Sequence, residues 1–269
     1  MMHAILKVSQ APVRCTRWSY RSYVTAGAPS GMHIGPDIAL VGSGEMRLSD
    51  PMDCNVYAVD CPDGVVLIDT GVGEATEQII ANAEDAFGST PTDAVLTHAH
   101  ADHAQGAPAL QAAGVRVWAT EATAALTEAG TTEELGLERA KRSGIYPADY
   151  SYAHFRPDRV VEADTTVGVA GGRFELLAVR GHARDHSCIL YGDPAAPAGF
   201  VGDALRADGS IILLNMPGSS LAAYREDLGR LGAYPIDRLL PGHGYPLFAE
   251  GEGAVTRAIE GLRSVDVPV

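Results

Sequence analysis

Residues 97 to 103 read Thr97-His98-Ala99-His100-Ala101-Asp102-His103, which gathers three imidazoles and a carboxylate within six positions. Imidazole nitrogen suits zinc, iron and related ions, and a carboxylate adds charge and can orient a water. A single histidine is usually a core or surface residue, but three with an aspartate at this spacing have no simple packing explanation. Two further segments carry the same residue types: Gly181-His182-Ala183-Arg184-Asp185-His186-Ser187 and Pro241-Gly242-His243-Gly244. Between them stands Gly202-Asp203, after the apolar Phe200-Val201. Each segment alone is weak evidence. Together they repeat one pattern, an apolar strand followed by glycine and a ligand-type side chain, and the glycines beside His243 let backbone approach a cleft closely.

Side chains of this kind need strand ends to hold them. Ile38–Val41, Asn55–Val59 and Val65–Ile68 read as short strands, with a Pro62-Asp63-Gly64 hairpin turn between the last two. A helix is predicted over Ala75–Phe87, with Ile79, Ile80, Ala83 and Phe87 on one face. A short strand at Ala94–Leu96 feeds the histidine run, followed by a helix over Asp102–Ala113 and a strand at Val115–Trp118. Residues 120 to 157 read as mostly helical and end in a cluster of Tyr146, Tyr150, Tyr152, His154 and Phe155. That stretch suits either a lid over the cleft or ordinary packing. Strands return at Thr166–Val169, Phe174–Val179, Ser187–Tyr191, Gly199–Val201 and Arg238–Leu240. Helices follow at Leu221–Leu231 and Ala254–Arg263. Strands and helices alternating in blocks within one domain suit sheets covered by helices.

The 269 residues can bury a sizeable core, and 46% of them are hydrophobic. No apolar run is long enough to span a membrane. The formal charge of −14 repels phosphate backbones, so a nucleic-acid partner is disfavoured and a small-molecule substrate is expected. Cys15, Cys54, Cys61 and Cys188 form no Cys-x-x-Cys pair, which fits idle thiols and a cytoplasmic location. Residues 1–31 hold Lys7, Arg14, Arg17 and Arg21 and no acid. They lack the apolar stretch of a secretory signal and read as a basic extension ahead of a domain over 32–269.

With these residues in view, the chain resembles the metallo-β-lactamase superfamily. The His-x-His-x-Asp-His run of that family matches 98 to 103, its later His, Asp and His match His182, Asp203 and His243, and its Asp-Thr-Gly motif matches Asp69-Thr70-Gly71. The resemblance covers roughly residues 38 to 265. It implies an α/β fold, a four-layer αββα sandwich with metals at one edge between the sheets. It further implies that His98, His100 and His182 hold one metal ion, that Asp102, His103 and His243 hold a second, and that Asp203 bridges them. Asp69 would orient a ligand histidine or the loop. One departure stands out: Gly-His-Ala-Arg-Asp-His at 181–186 replaces the frequent Gly-His-Thr-Pro-Gly-His, which leaves three roles open for His186: supporting the ligands, facing substrate, or a merely structural one.

Two divalent ions, zinc first with manganese or iron as alternatives, would make a bridging hydroxide available at neutral pH for attack on a carbonyl. The expected enzyme is therefore a dinuclear hydrolase of a small ester, thioester or lactone, with Asp102 orienting water and moving a proton. The alternatives are a β-lactam or phosphodiester hydrolase on the same fold, and, in another class, a non-haem iron oxidoreductase of the persulfide dioxygenase kind. The complete ligand set weighs against the last, because half of it would stand idle. A binding protein that kept the fold is a further class, disfavoured because no ligand is lost.

Overall fold

Runs such as Ile38-Ala39-Leu40-Val41 and Val65-Val66-Leu67-Ile68 place apolar side chains on both strand faces, so each strand needs cover on two sides. A computed structural model, which describes residues 31–264, shows how that cover is supplied. Seven strands form the first sheet in the order β1 (Met32–His33), β2 (Ile38–Gly42), β3 (Val56–Cys61), β4 (Gly64–Ile68), β5 (Pro91–Val95), β6 (Arg116–Thr120) and β7 (Arg159–Val161). The second sheet has the order β12-β11-β10-β9-β8, built from β8 (Thr165–Val169), β9 (Gly172–Ala178), β10 (Ser187–Tyr191), β11 (Ala198–Gly202) and β12 (Leu239–Pro241).

Strand alternation sorts the side chains into layers. Tyr57, Val59, Val66, Ile68, Phe174, Leu176, Ile189 and Phe200 meet between the two sheets. On the outer face of the first sheet, Val56, Ala58, Val65 and Leu67 pack with Ile79 and Ala83 of α1 (Thr76–Phe87). The outer face of the second buries Cys188, Leu190 and Val201 against α6 (Leu221–Leu231) and α7 (Gly251–Ser264). The result is the expected four-layer αββα sandwich.

Three local expectations need correction. The helix predicted over Asp102–Ala113 is two short helices, α2 (Ala101–Ala104) and α3 (Ala107–Ala112). They break at Gly106, where a Cβ would lie 2.0 Å from the Thr70 carbonyl oxygen, so the chain turns here to press against the Asp69-Thr70-Gly71 loop. Residues 120–157 are not mostly helical: α4 (Glu121–Ala129) and α5 (Leu137–Arg142) are the helices, and 143–158 runs without regular structure, held by side chains. The strands β1 and β7, short pieces at the sheet edges, have no counterpart in the sequence reading. The basic extension lies outside the described residues apart from Gly31. Among the described residues no helix is long and apolar enough to cross a membrane, and Cys54, Cys61 and Cys188 are free and buried.

Candidate metal centre

Parallel strands put their carboxyl ends side by side, and this chain uses two such pairs. β4 runs parallel to β5, which sets Asp69 next to Thr97. β11 runs parallel to β12, which sets Asp203 next to Gly242, whose N–H donates to the Gly202 carbonyl at 2.7 Å. Hydrogen bonds across the sandwich tie the two ends together. Asn55 N–H donates to the Gly242 carbonyl (2.7 Å), the Tyr57 hydroxyl to that of Pro241 (2.8 Å), and Ser187 N–H to that of Thr97 (2.9 Å).

Beneath the histidine run sits Asp69, buried and in the left-handed region at φ 61°. A non-glycine residue holds that conformation at a cost of about 1–2 kcal/mol, and here it aims the carboxylate under two ligand groups at once. Oδ1 accepts from Thr97 N–H at 2.8 Å, and Oδ2 accepts from His103 Nδ1 at 2.7 Å. The Thr97 hydroxyl also donates to Asp69, at 2.9 Å. With its proton committed there, the Thr97 oxygen accepts from His98 Nδ1 at 3.0 Å. His182 Nδ1 donates to the Ile212 carbonyl at 2.8 Å. The network thereby assigns the Nδ1 proton to His98, His103 and His182 and turns three Nε2 atoms inward.

Those inward atoms form two groups. His98 Nε2 and His182 Nε2 each lie 3.0 Å from His100 Nδ1. His243 Nε2 lies 3.0 Å and His103 Nε2 3.7 Å from Asp102 Oδ2. Asp203 reaches both groups: Oδ2 is 3.3 Å from His182 Nε2, and Oδ1 is 3.3 Å from His103 Nε2 and 3.6 Å from His243 Nε2. The Asp102 and His243 side chains keep 17% and 22% of their surface exposed, while that of His103 has none, so the site opens on the Asp102–His243 side.

The charge state suits cations. Burial, reinforced by neighbouring imidazoles, lowers the pKa of His98 and brings that of His100 down to about 3; burial also lowers that of His182. All three are neutral and offer lone pairs. Burial acts to lower the pKa of His103 and His243 too, but it is outweighed at His103 by Cys54 and the carboxylates of Asp102, Asp69 and Asp203, and at His243 by Asp203 and Asp102, so both are raised. Burial likewise acts to raise Asp102 and Asp203, and the facing histidines hold both below the usual carboxylate range. His103 Nε2 and Asp203 Oδ1 are buried with no hydrogen-bond partner among the described residues. Two such unpartnered atoms, one imidazole nitrogen and one carboxylate oxygen facing each other at 3.3 Å, fit divalent ions such as zinc, manganese or iron.

The structure brings all seven expected ligand residues together, with Asp69 beneath them and hydrogen-bonded to His103 and Thr97. His186 supports Asp203 and faces no opening: its Nε2 accepts from Asp203 N–H at 3.0 Å, and burial brings its pKa down to about 3. Four neighbours went unassigned in the sequence. Thr97 relays Asp69 to His98. The Asp185 carboxylate accepts from Ala99 N–H at 2.8 Å and braces the histidine run from the second sheet. Tyr146 donates to Asp102 Oδ1 at 3.0 Å. Cys54 lies close to Asp69 and His103, but burial pushes its thiol far above the usual range, so it stays protonated and is a poor ligand. Asp185 left a trace in the sequence as a charged residue where a glycine is frequent, and Tyr146 as part of the tyrosine cluster, which read as either a lid or ordinary packing.

A model of the metallo-beta-lactamase superfamily matches residues 49–243, most of the chain and every candidate ligand. The chain belongs to the metallo-beta-lactamase superfamily. Among its relatives, a type 2 metallo-beta-lactamase of Bacillus sp. (strain 170) is 28% identical over 71% of this chain and 66% of its own length. A hydroxyacylglutathione hydrolase of Xylella fastidiosa (strain M23) is 28% identical over 71% of this chain and 60% of its own length. The chain thus spans under two thirds of these curated relatives. The solved structure of a metallo-beta-lactamase from Pontibacter korlensis superposes with a TM-score of 0.60 at 24% identity, covering 79% of this chain and 88% of that one.

Proposed function

We propose that this superfamily member is a hydrolase that holds two divalent ions, zinc first, and cleaves a small ester, thioester or lactone. The observation that carries the reading is Asp203, whose two oxygens face the two ligand groups separately. His98, His100 and His182 would hold one ion, and Asp102, His103 and His243 the other. Bound ions would supply a water of lowered pKa and a Lewis acid for the scissile carbonyl. Asp102, the carboxylate nearest the open side, would help hold one ion and orient the attacking water. Asp69 keeps His103 and, through Thr97, His98 in the tautomer whose Nε2 is free to bind. The resemblance to a hydroxyacylglutathione hydrolase supports thioesters, and that to metallo-beta-lactamases keeps β-lactams as the second reading.

Leu213 and Tyr245 are exposed apolar side chains beside the backbone that anchors His182 and just after His243, which supports a small substrate with an apolar portion. Metal analysis joined to a panel of thioesters, lactones, β-lactams and phosphodiesters tests the proposal. About two ions per chain and turnover of an ester-type substrate are expected. One iron per chain with oxygen consumption would make it an oxidoreductase instead.

A further inference from the structure

Asp102 has two carboxylate oxygens, and the site uses them unequally. Oδ2 faces His243 and His103. Oδ1 turns away and accepts from the Tyr146 hydroxyl at 3.0 Å, while the Asp102 N–H donates to that same hydroxyl oxygen at 3.2 Å. One phenol therefore grips the backbone and the side chain of a single residue. This double contact removes a freedom that aspartate otherwise has, since its terminal torsion is broad and nearly two-fold. Swapping Oδ1 for Oδ2 leaves the chemistry of a free carboxylate unchanged, but it makes no sense once one oxygen is tied to a phenol.

Tyr146 is itself held. It is buried, its ring stacks on that of Tyr150 at 4.8 Å and 18°, and it packs in a small apolar cluster with Val72, Ala101 and Leu137. The rest of its segment is fastened to the same loops. The Tyr150 hydroxyl donates to the Val72 carbonyl (3.2 Å), the Tyr152 hydroxyl to that of Ala99 (3.0 Å), and Gln105 and Ala153 exchange two hydrogen bonds. Residues 146–153 act as a brace across the back of the histidine run, and Tyr146 is the part of the brace that touches an expected ligand side chain.

We infer that Tyr146 is a positioning residue for Asp102, holding Oδ2 toward His103 and His243 and thereby setting the affinity of the ion position those three residues form. The inference rests on the proposed ligand assignment. With its outer oxygen engaged by the phenol, Asp102 would offer Oδ2 to the ion and keep its orientation when substrate enters from the open side.

Cobalt(II) titration followed by visible absorption separates the two positions. In Tyr146→Phe the Asp102–His103–His243 position should weaken about 10–100-fold, the loss typical for an outer hydrogen-bond partner, while the His98–His100–His182 position keeps its affinity. Tyr150→Phe, which removes a neighbouring hydroxyl that does not touch Asp102, should leave both unchanged. Equal affinities in wild type and Tyr146→Phe overturn the inference, as does equal weakening in both variants, which would mean general loosening of the brace. A metal-loaded crystal structure of the unaltered protein gives a check that no variant can spoil. Tyr146 Oη should stay within hydrogen-bond distance of Oδ1 with Oδ2 on the ion, and an Asp102 that binds through both oxygens refutes the role. A wild-type protein that takes up no second ion sinks the two-ion reading and this inference with it. Two ions bound equally well with and without the phenol hydroxyl sink this inference alone.

Discussion

Asp102 is the side chain on which most of the proposed chemistry turns, because it is both a candidate ligand and the carboxylate nearest the open side. Asp102→Ala removes an oxygen that would hold an ion and the carboxylate that would orient the water. Turnover should fall by at least about 100-fold, since losing a mere outer partner of a ligand already costs about 10–100-fold. Far-UV circular dichroism should stay unchanged, because the sandwich core lies elsewhere. Activity within a few-fold of wild type would take Asp102 out of the mechanism. The buried Asp69 works differently. Its effect passes through Thr97 and His103, so the same residue supports both ligand groups without facing substrate.

At the level of elements, the ends of strands decide what fits. A Cβ at Gly242, just past β12, would lie 2.6 Å from His103 Cε1 and 2.7 Å from Asp203 Oδ1. Gly242→Ala should therefore push two ligands apart and lower metal content from two ions toward one, measured by metal analysis of the purified protein. Gly244 makes the contrast: its φ is +81° with open space around a Cβ. Gly244→Ala should cost about 1 kcal/mol in stability and leave metal content intact. The loop before β10 offers a pH test. Burial raises the pKa of Asp185 from 3.8 to about 6. Between those values the folded protein holds more protons than the unfolded one, so this group's contribution falls as pH rises, and the loss is complete above the folded pKa. Two units correspond to about 3 kcal/mol. Urea unfolding of metal-free protein should show the stability of wild type relative to Asp185→Asn declining by that order from about pH 4 to about pH 7. A flat difference would mean Asp185 is not held in a desolvated place.

Taken as a whole, the molecule joins two sheets at one edge through side chains from both, and ions bound there would act as a clasp. Ions present at about 100 times their dissociation constant add about 2.7 kcal/mol. For a chain of this size each kcal/mol moves Tm by about 2–4 °C, so chelation should lower Tm by roughly 5–10 °C in a thermal scan. No shift would mean that the centre carries no bound ion as purified. The domain proposed over 32–269 predicts that deleting residues 1–31 leaves metal content and Tm unchanged. Loss of metal would show that the basic segment supports the core.

The candidate ligand residues, their division into four segments and the layered architecture were legible in the sequence, because ligand types are few and strand and helix periods are local. His98 to His103 announced themselves by type and spacing alone. What joined Asp69 to Thr97 and His103, Asp185 to Ala99, and Tyr146 to Asp102 was packing between segments far apart in the chain. The break at Gly106 and the irregular run 143–158 belong to the same class, since close approach and hydrogen bonds from distant loops override local helix preference there. Residue types decided which side chains could bind a cation. The fold alone decided which nitrogen of each histidine faces inward and which oxygen of Asp102 is free, because a tautomer and a rotamer are set by the partner on the other side, and that partner comes from elsewhere in the chain.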